Sequence, residues 1–491
     1  MNRWLLAIGC FALLVYFFSP PWAAFRAWSR APELGGLLEL RRGANVLLQT
    51  EHPGRPIQDP LHGAIQWRLL FPVIGHLFHL PPAVLFGLAD LGCVLVLGFV
   101  ITVLRRRGVG WFEAGLAAAI LGAGSWYFAS VRWLGYYDSW LVLGLLFVAF
   151  ARTRWPVWLA CLWAPWIDER FVIAAPLALL CRYLLRSRSA QPLTPGTFWK
   201  QELALPSGLI AAYVAVRLGF LSRQAVPNAT ITGYLGGLHV RGTPGTRVLF
   251  GVWEGLRVAW FFVGAAVVLL RRNRGQAVAL GTTVLAIVLV GLGTAQDFSR
   301  SMMFILPAAL CGVLLAFEAA PRWLPLALRA GAGAAVLLPA NLVMNDAVNP
   351  VWGLYSEFAA LRSPPPALMS ERYELRGIQG MEEGTYAQAE TDLSLAIKLA
   401  DNPANPCRQR GLLYASEGRW AEARRDFDTM VKYDARNADA WFLRAEAELA
   451  LGDAAAAQAD MQRALTLAPE HWSGRPDVVR FMGRLNPRRD P

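Results

Sequence analysis

Cysteine, histidine and charged residues are scarce in this chain. The 491 residues include six cysteines and six histidines, and charged residues make up 17% of the total. Five cysteines fall in apolar segments and Cys407 stands alone near the C-terminus, so neither a disulfide framework nor a metal-binding spacing is present. His76 and His79 share a helix face, but without an acidic third ligand they are more typical of interfacial side chains than of a zinc site. The sequence therefore contains no specific metal-ligand set, and it leaves the cofactor, including a divalent metal, undetermined.

Hydrophobic residues, in contrast, make up 55% of the chain and concentrate in the first 345 residues. This distribution predicts a polytopic membrane domain, residues 1–345, followed by a soluble tail. The net charge of +12 would suit nucleic acid. The arginines, however, cluster at the ends of apolar runs, which is typical of topology signals and of contacts to anionic lipid. We therefore expect a membrane, and no nucleic acid, as partner.

About eleven apolar segments have lengths close to what a bilayer needs, two of them being short. They cover residues 4–18, 82–104, 111–128, 133–151, 155–167, 171–185, 203–221, 248–270, 277–294, 302–317 and 324–343. With this count the arginine-rich loops all fall on one side, which the positive-inside rule makes cytoplasmic. The N-terminus is then cytoplasmic, on an uncleaved signal anchor rather than a signal peptide. The tail is extracytoplasmic.

Two placements affect this count. Residues 64–80 are amphipathic, so we expect them to lie on the outer membrane surface rather than to cross it. Residues 155–185 are predicted to form a hairpin, not one long helix, because arginine clusters flank both ends. The hairpin places Asp168, Glu169 and Arg170 at its outer tip.

Charged side chains gather on the predicted outer side. An unpaired charge inside a bilayer costs about 3 kcal/mol or more, so such residues usually pair or act in function. A carboxylate there could serve as general base toward a hydroxyl, and an arginine could bind phosphate through two hydrogen bonds. The alternatives are a solvated hairpin tip, snorkelling arginines, or pairing between neighbours such as Asp297 and Arg300.

Several of these patterns resemble membrane glycosyltransferases of the GT-C type. Residues 66–72 are similar to the Arg-x-Leu-x-Pro element that ends the family's first outer loop, here residues 19–80. Asp138 before an apolar helix resembles the family's Asp at the start of a span, and residues 168–170 resemble its charged turn. Asp297 and Arg300 are similar to its Asp-x-x-Arg. The chain departs from the family in having no acidic residue in 19–28, where a catalytic Asp is usual.

The resemblance implies transfer of a sugar from a polyprenyl-phosphate carrier to an acceptor outside the cytoplasm. The phosphate would contact three arginines: Arg68, Arg170 and Arg300. Four acidic residues are then the candidates for a catalytic role, including acceptance of the proton of the attacking hydroxyl: Asp59, Asp138, Asp168 and Glu169.

The tail contains an internal repeat of 34 residues after a proline-rich linker, residues 346–370. Four columns repeat in register, for example Arg376, Arg410 and Arg444, or Gly384, Gly418 and Gly452. This period resembles tetratricopeptide (TPR) repeats, three of which would fill residues 371–472 before a cap or tail at 473–491. The fold class predicted for the whole chain is thus all-α: a helix bundle followed by an α-solenoid.

Three functions remain open. The first is a GT-C-like glycosyltransferase of the bacterial inner membrane whose repeats bind a protein partner in their groove. The second is a non-catalytic, membrane-anchored scaffold for envelope polysaccharide assembly, in which the outer acids are structural. The third is a polysaccharide polymerase or ligase. The outer motifs favour the enzyme, whereas the missing early Asp favours the scaffold.

Overall fold

The computed structural model describes residues 2–18, 38–55, 66–188, 194–223, 243–344, 348–351, 353–354, 366–468 and 478–479. Within these ranges α-helix dominates, so the predicted all-α class is confirmed. The chain divides into two compact units. The first consists of Met1–Pro21, Asn45–Pro56 and Gly63–Glu357, and the second of Trp22–Ala44, Ile57–His62 and Phe358–Pro491.

The first half of the chain forms helices that are mostly apolar. They are α1 (Arg3–Phe18), α2 (Leu38–Glu51), α3 (Leu70–Phe78), α4 (Pro82–Arg105), α5 (Trp111–Gly122), α6 (Ser125–Arg132), α7 (Asp138–Phe150), α8 (Trp155–Trp163), α9 (Phe171–Arg186), α10 (Pro195–Phe198) and α11 (Ala204–Arg223). A 3-10 turn, Ala164–Trp166, follows α8, and a π-helical segment, Trp199–Leu203, joins α10 to α11.

The later helices continue to the end of the described chain. They are α12 (Gly245–Leu256), α13 (Trp260–Leu270), α14 (Arg274–Thr294), α15 (Phe298–Ser301), α16 (Leu306–Ala319), α17 (Leu324–Leu337), α18 (Pro366–Glu382), α19 (Tyr386–Leu399), α20 (Ala404–Ser416), α21 (Trp420–Tyr433), α22 (Ala438–Ala450) and α23 (Ala454–Leu467). Short 3-10 segments, Arg257–Ala259 and Met302–Ile305, precede α13 and α16. Strands β1 (Ala340–Val343) and β2 (Val348–Val351) pair antiparallel, Ala340 opposite Val351.

Among the described residues, five helices are long and apolar enough to cross a membrane. They are Pro82–Arg105, Gly196–Gly219, Gly245–Leu270, Arg274–Gly293 and Phe298–Ala319, and the bent pair α5 and α6 would make a sixth. These helices favour membrane association. The count of eleven spans stays a prediction, because other apolar helices such as α1 and α7 are shorter than a full crossing.

The predicted span 111–128 is not one straight helix. The chain bends by 71° between α5 and α6. Gly124 lies at the bend, where a Cβ atom would come within 3.1 Å of the carbonyl oxygen of Gly255. The hydroxyl of Ser125 donates a hydrogen bond to that same carbonyl, at 3.0 Å. A small residue and a local donor thus let the carbonyl of Gly255 approach the break closely.

Helix α7 packs against α4, α8 and α9, and most of its apolar side chains are buried, among them Leu141, Val142 and Leu145. Its first turn is fixed by Ser139, whose hydroxyl donates to the carbonyl of Ala89 on α4 at 2.8 Å. Gly92 makes this close approach possible, because a Cβ atom there would meet the Ser139 hydroxyl at 2.4 Å. The packing therefore holds the start of α7, and Asp138 with it, in one position.

The second unit contains three consecutive helix pairs: α18 with α19, α20 with α21, and α22 with α23. A glycine at positive φ separates the two helices of each pair, with values of 74° at Gly384, 74° at Gly418 and 88° at Gly452. Glycine suits these positions because a Cβ atom disfavours the left-handed region. The 34-residue spacing of the sequence thus recurs as a repeated backbone turn.

A repeated arginine–aspartate pair connects the two helices of each pair. Arg410 donates to Asp426 through Nε at 2.9 Å and Nη2 at 2.7 Å. Equivalent contacts join Arg376 to Asp392 and Arg444 to Asp460. Each of the later two arginines also reaches back to the preceding helix pair: Arg410 to Ser394 at 2.8 Å, and Arg444 to Asp428 at 3.1 Å. This arginine ladder links consecutive pairs.

Replacing Arg410 by alanine is expected to lower the free energy of local unfolding around α20 and α21 by about 3 kcal/mol, because Asp426 loses its partner while its side chain is only 6% exposed. Hydrogen exchange of the full chain measures this loss. Cys407 gives a second readout, since the side chain is buried and burial raises the pKa of its thiol to about 12. Alkylation of Cys407 at pH 8 should be slow in the wild type and faster in the variant.

Arg424→Ala is the matched control. Arg424 is 45% exposed and lies 3.8 Å from Asp428, so its removal should change stability by less than about 0.5 kcal/mol. If the Arg410→Ala and Arg424→Ala variants show the same rates of amide hydrogen exchange around α20 and α21, the arginine ladder does not stabilise the second unit.

Candidate charged site

The predicted outer charges come from separate parts of the first unit. Arg68 precedes α3, Asp138 begins α7, Arg300 lies in α15, and residues 168–170 form the turn before α9. Two local hydrogen bonds shape these segments. The carboxylate of Asp168 accepts from the backbone N–H of Arg170 at 3.0 Å, which tightens the turn. Asp297 accepts from the backbone N–H of Arg300 at 2.9 Å and so caps α15.

Asp168 lies at the centre of the cluster and is 1% exposed. It accepts from Arg170 through Nε at 2.9 Å and Nη2 at 2.7 Å. Nη2 of Arg68 lies 3.2 Å from its Oδ2, and Nη2 of Arg300 donates to the same oxygen at 3.3 Å. Three guanidinium groups from three segments therefore surround one buried carboxylate, and their attraction compensates for its loss of water.

Arg300 pairs mainly with Asp138. Its Nη2 donates to Oδ1 of Asp138 at 2.7 Å, and its Nε donates to the other carboxylate oxygen. The guanidinium also lies 4.5 Å from the ring centroid of Tyr136. Helical spacing offered Asp297 as an alternative partner for the side chain of Arg300. In the structure, Asp297 instead accepts a hydrogen bond from the backbone N–H of Arg300. Turn capping and side-chain pairing thus use different groups of Arg300.

Glu169 has a different environment from the two aspartates. It accepts from Arg68 at 3.2 and 3.3 Å, and Nη1 of Arg217 lies 3.4 Å from its Oε2. These distances are longer than those between Asp138 and Arg300, and the Glu169 side chain is 14% exposed against 2% for Asp138. Glu169 is therefore the carboxylate of the cluster that an incoming ligand can reach and displace most easily.

Arg217 of α11 belongs to the cluster although the sequence analysis did not single it out. It also donates to the hydroxyl of Tyr213 at 3.1 Å. Arg217 lies inside the apolar segment 203–221, far along the chain from the other members. A lone arginine within a predicted span is itself a functional signal, and this signal could have identified it.

A small cavity of about 50 Å³ opens beside Arg217. Its lining combines aromatic and apolar side chains with few polar groups: Gly54, Gln66, Trp67, Leu69, Trp166, Tyr213 and Arg217. A volume of this size holds one or two water molecules. The cavity lies at the Arg217 edge of the cluster.

The arrangement brings together six of the seven predicted site residues, and the seventh, Asp59, lies outside the described residues. The cluster combines four arginines with the carboxylates of Asp138, Asp168 and Glu169, and a fourth carboxylate, Asp297, lies beside Arg300 at the start of α15. Such a cluster can bind an anion, because guanidinium groups hold phosphate oxygens through paired hydrogen bonds. Within the described ranges, no group of three or more His, Cys, Asp or Glu side chains is placed to hold a metal ion.

The fold and site together define a helical chain with helices of membrane-spanning length and an arginine-rich buried cluster. The sequence matches no family model and no curated protein.

Proposed function

We propose that the chain is a GT-C-type membrane glycosyltransferase, which moves a sugar from a polyprenyl-phosphate carrier to an extracytoplasmic acceptor. One observation carries the proposal: Arg68, Arg170 and Arg300 meet in one cluster together with the candidate acids Asp138, Asp168 and Glu169. These residues come from four segments that are far apart in sequence. A shared position at helix ends suits a phosphate whose lipid tail remains in the bilayer.

The arginines divide into two roles in this proposal. Arg170 and Arg300 have short hydrogen bonds to buried aspartates, so they hold Asp168 and Asp138 in place. Arg68 and Arg217 have longer contacts, at 3.2 and 3.4 Å, to Glu169, whose side chain is 14% exposed against 1% for Asp168 and 2% for Asp138. The phosphate of the carrier is therefore bound by Arg68 and Arg217.

Binding of that phosphate supplies the general base. Phosphate oxygens compete with Glu169 for the guanidinium groups of Arg68 and Arg217, and the carboxylate is released. Glu169 then accepts the proton of the acceptor hydroxyl as the hydroxyl oxygen bonds to the anomeric carbon of the sugar. The bond between that carbon and the phosphate oxygen breaks, and the arginines stabilise the departing phosphate. Asp59 is the alternative base.

The second unit recruits a protein partner in this proposal. Its helix pairs, the glycines at positive φ between them and the arginine ladder support an assignment to tetratricopeptide repeats. Stacked pairs of this kind leave a concave surface for an extended segment of another protein. The chain would lie in a bacterial inner membrane with its N-terminus in the cytoplasm and the repeats outside, next to the acceptor.

A non-catalytic scaffold for envelope polysaccharide assembly is the second candidate. The observation that favours it is the pairing of Asp138, Asp168 and Glu169 with arginines, since a buried and fully paired cluster can serve structure alone. The two candidates differ in one property. The scaffold requires the repeats but no transfer of sugar.

Sugar transfer in proteoliposomes, with a radiolabelled pool of polyprenyl-phosphate sugars, tests the proposal. We expect transfer by the wild type and a reduction of about tenfold or more for Arg217→Gln, because a hydrogen bond to a charged group contributes about 1.5–3 kcal/mol. The control is Arg107→Gln. Arg107 is 44% exposed and pairs with Glu318 beyond the end of α4, so this change should leave transfer unaltered. If the wild type transfers no sugar while the full chain still captures an envelope protein, the scaffold is the better description.

A further inference from the structure

A second charged cluster lies apart from the proposed site and is independent of the proposed function. Its centre is Glu202, in the π-helical segment Trp199–Leu203, with a side chain that is 4% exposed. Three arginines lie within 4.0 Å of this carboxylate: Arg154, Arg182 and Arg186. The cluster therefore carries two positive charges in excess. π-Helical segments are rare and often mark functional sites.

Arg182 is the structural member of this cluster. Its side chain is 2% exposed, and its Nε donates to Oε2 of Glu202 at 2.9 Å. Its Nη1 donates to the carbonyl of Ala151, just after α7, at 2.7 Å. The Arg182 guanidinium thus balances the charge of Glu202 and fixes the end of α7, so it is not available to an external ligand.

Arg154 and Arg186 instead face outward, with 45% and 36% of their side chains exposed. Their nearest nitrogens lie 3.6 and 3.9 Å from the same oxygen of Glu202, longer than a hydrogen bond. Both distances end on one atom, so the two guanidinium groups are close enough for a single phosphate group to contact both. Each guanidinium also donates one hydrogen bond to an uncharged oxygen at 2.9 Å: Arg154 to the side chain of Gln201, and Arg186 to the backbone carbonyl of Arg152.

Exposed aromatic and apolar side chains surround this pair. Trp155 is 59% and Trp199 58% exposed, and indole rings of this kind are typical of the membrane–water interface. Leu159 and Leu162 of α8 continue from the cluster along the helix with about half of each side chain exposed. A polar headgroup at the arginines would therefore place its chains on an apolar helix surface.

We infer that Arg154 and Arg186 form a binding site for an anionic phospholipid, with the lipid phosphate on the exposed side of the two guanidinium groups, away from Glu202, and an acyl chain along α8. Charge complementarity selects an anionic headgroup, since each arginine near a membrane surface contributes about 1 kcal/mol of attraction. Trp155 and Trp199 set the depth of the headgroup. Glu202 and Arg182 hold the two binding residues in position.

Native mass spectrometry of the full detergent-solubilised chain tests this site. The chain is incubated with equal amounts of phosphatidylglycerol and phosphatidylcholine of the same acyl composition. We expect the wild type to retain phosphatidylglycerol preferentially, and Arg154→Gln with Arg186→Gln to lose this preference by about fivefold for each charge removed. The double variant Arg154→Lys with Arg186→Lys keeps both positive charges, so it should retain most of the preference for phosphatidylglycerol. Arg107→Gln is the matched control, being equally exposed but paired one to one with Glu318.

Three results would overturn the inference. In the first, the double glutamine variant retains phosphatidylglycerol as well as the wild type does. In the second, Arg107→Gln loses as much of the preference for phosphatidylglycerol as the double glutamine variant, which would show that the effect comes from net charge and not from this site. Soluble glycerol phosphate could displace the lipid at equal concentration, which would make the ligand a free phosphate and not a lipid. If the double variant unfolds, as judged by circular dichroism, Arg154→Gln alone must show its fivefold loss.

Discussion

Glu169→Gln is expected to lower the rate of sugar transfer by about 100-fold or more, because the amide cannot accept the proton of the attacking hydroxyl. The substitution keeps the size of the side chain and one of its hydrogen-bond acceptors. The contacts to Arg68 and Arg217 are already long, so the fold should change little. Initial rates in proteoliposomes measure the effect, with thermal unfolding of the same preparations as the check on folding.

Glu318→Gln provides the control for this experiment. Glu318 also pairs with an arginine, Arg107, but its side chain is 36% exposed and lies outside the cluster. Removing the negative charge of Glu318 should leave the transfer rate within a factor of two of the wild-type rate, since surface ion pairs contribute about 0–1 kcal/mol. A Glu169→Gln variant that transfers at the wild-type rate would exclude Glu169 as the base and leave Asp59 as the remaining candidate.

Asp138→Asn is expected to reduce the stability of the first unit by about 3–5 kcal/mol, because it leaves Arg300 buried without its main partner. The Asp138 side chain is 2% and that of Arg300 8% exposed, so water cannot replace the lost contact. Thermal unfolding in detergent measures the change. Combining Asp138→Leu with Arg300→Met removes both charges, and this double variant should recover part of the loss.

The result for Asp138 separates structure from catalysis within one cluster. We expect Asp138→Asn to lower both the unfolding temperature and the transfer rate, whereas Glu169→Gln lowers the rate alone. If Asp138→Asn unfolds at the wild-type temperature, the pair with Arg300 is not what holds α7 against α15, and the division of roles is wrong.

The sequence was informative where chemistry is local. The turn at residues 168–170, the arginine at 68 and the arginine at 300 stand out because charges between apolar runs are unusual. The repeat spacing stands out for a similar reason, since four columns recur at one period and the structure places helix pairs over the same residues. Patterns of this kind need no knowledge of the fold.

Long-range pairing could not be predicted in the same way. Spacing suggested Asp297 as a partner for the Arg300 side chain, but the actual partner, Asp138, lies 162 residues away. The partner of Arg217 could not be predicted for the same reason, because the contact of Arg217 with Glu169 depends on how α11 packs against α8. The bend after α5 depends on the approach of Gly255, which is distant in sequence. Each of these features is decided by packing between elements, which periodicity does not encode.

Binding of a radiolabelled polyprenyl phosphate to the full chain in nanodiscs tests the central claim most directly. The claim is that Arg68 and Arg217 bind the phosphate of a lipid carrier. We predict saturable binding by the wild type, a loss of about tenfold in affinity for Arg217→Gln, a similar loss for Arg68→Gln, and unchanged binding by Arg107→Gln. Equal binding by all four proteins, or no saturable binding by the wild type, would contradict the claim.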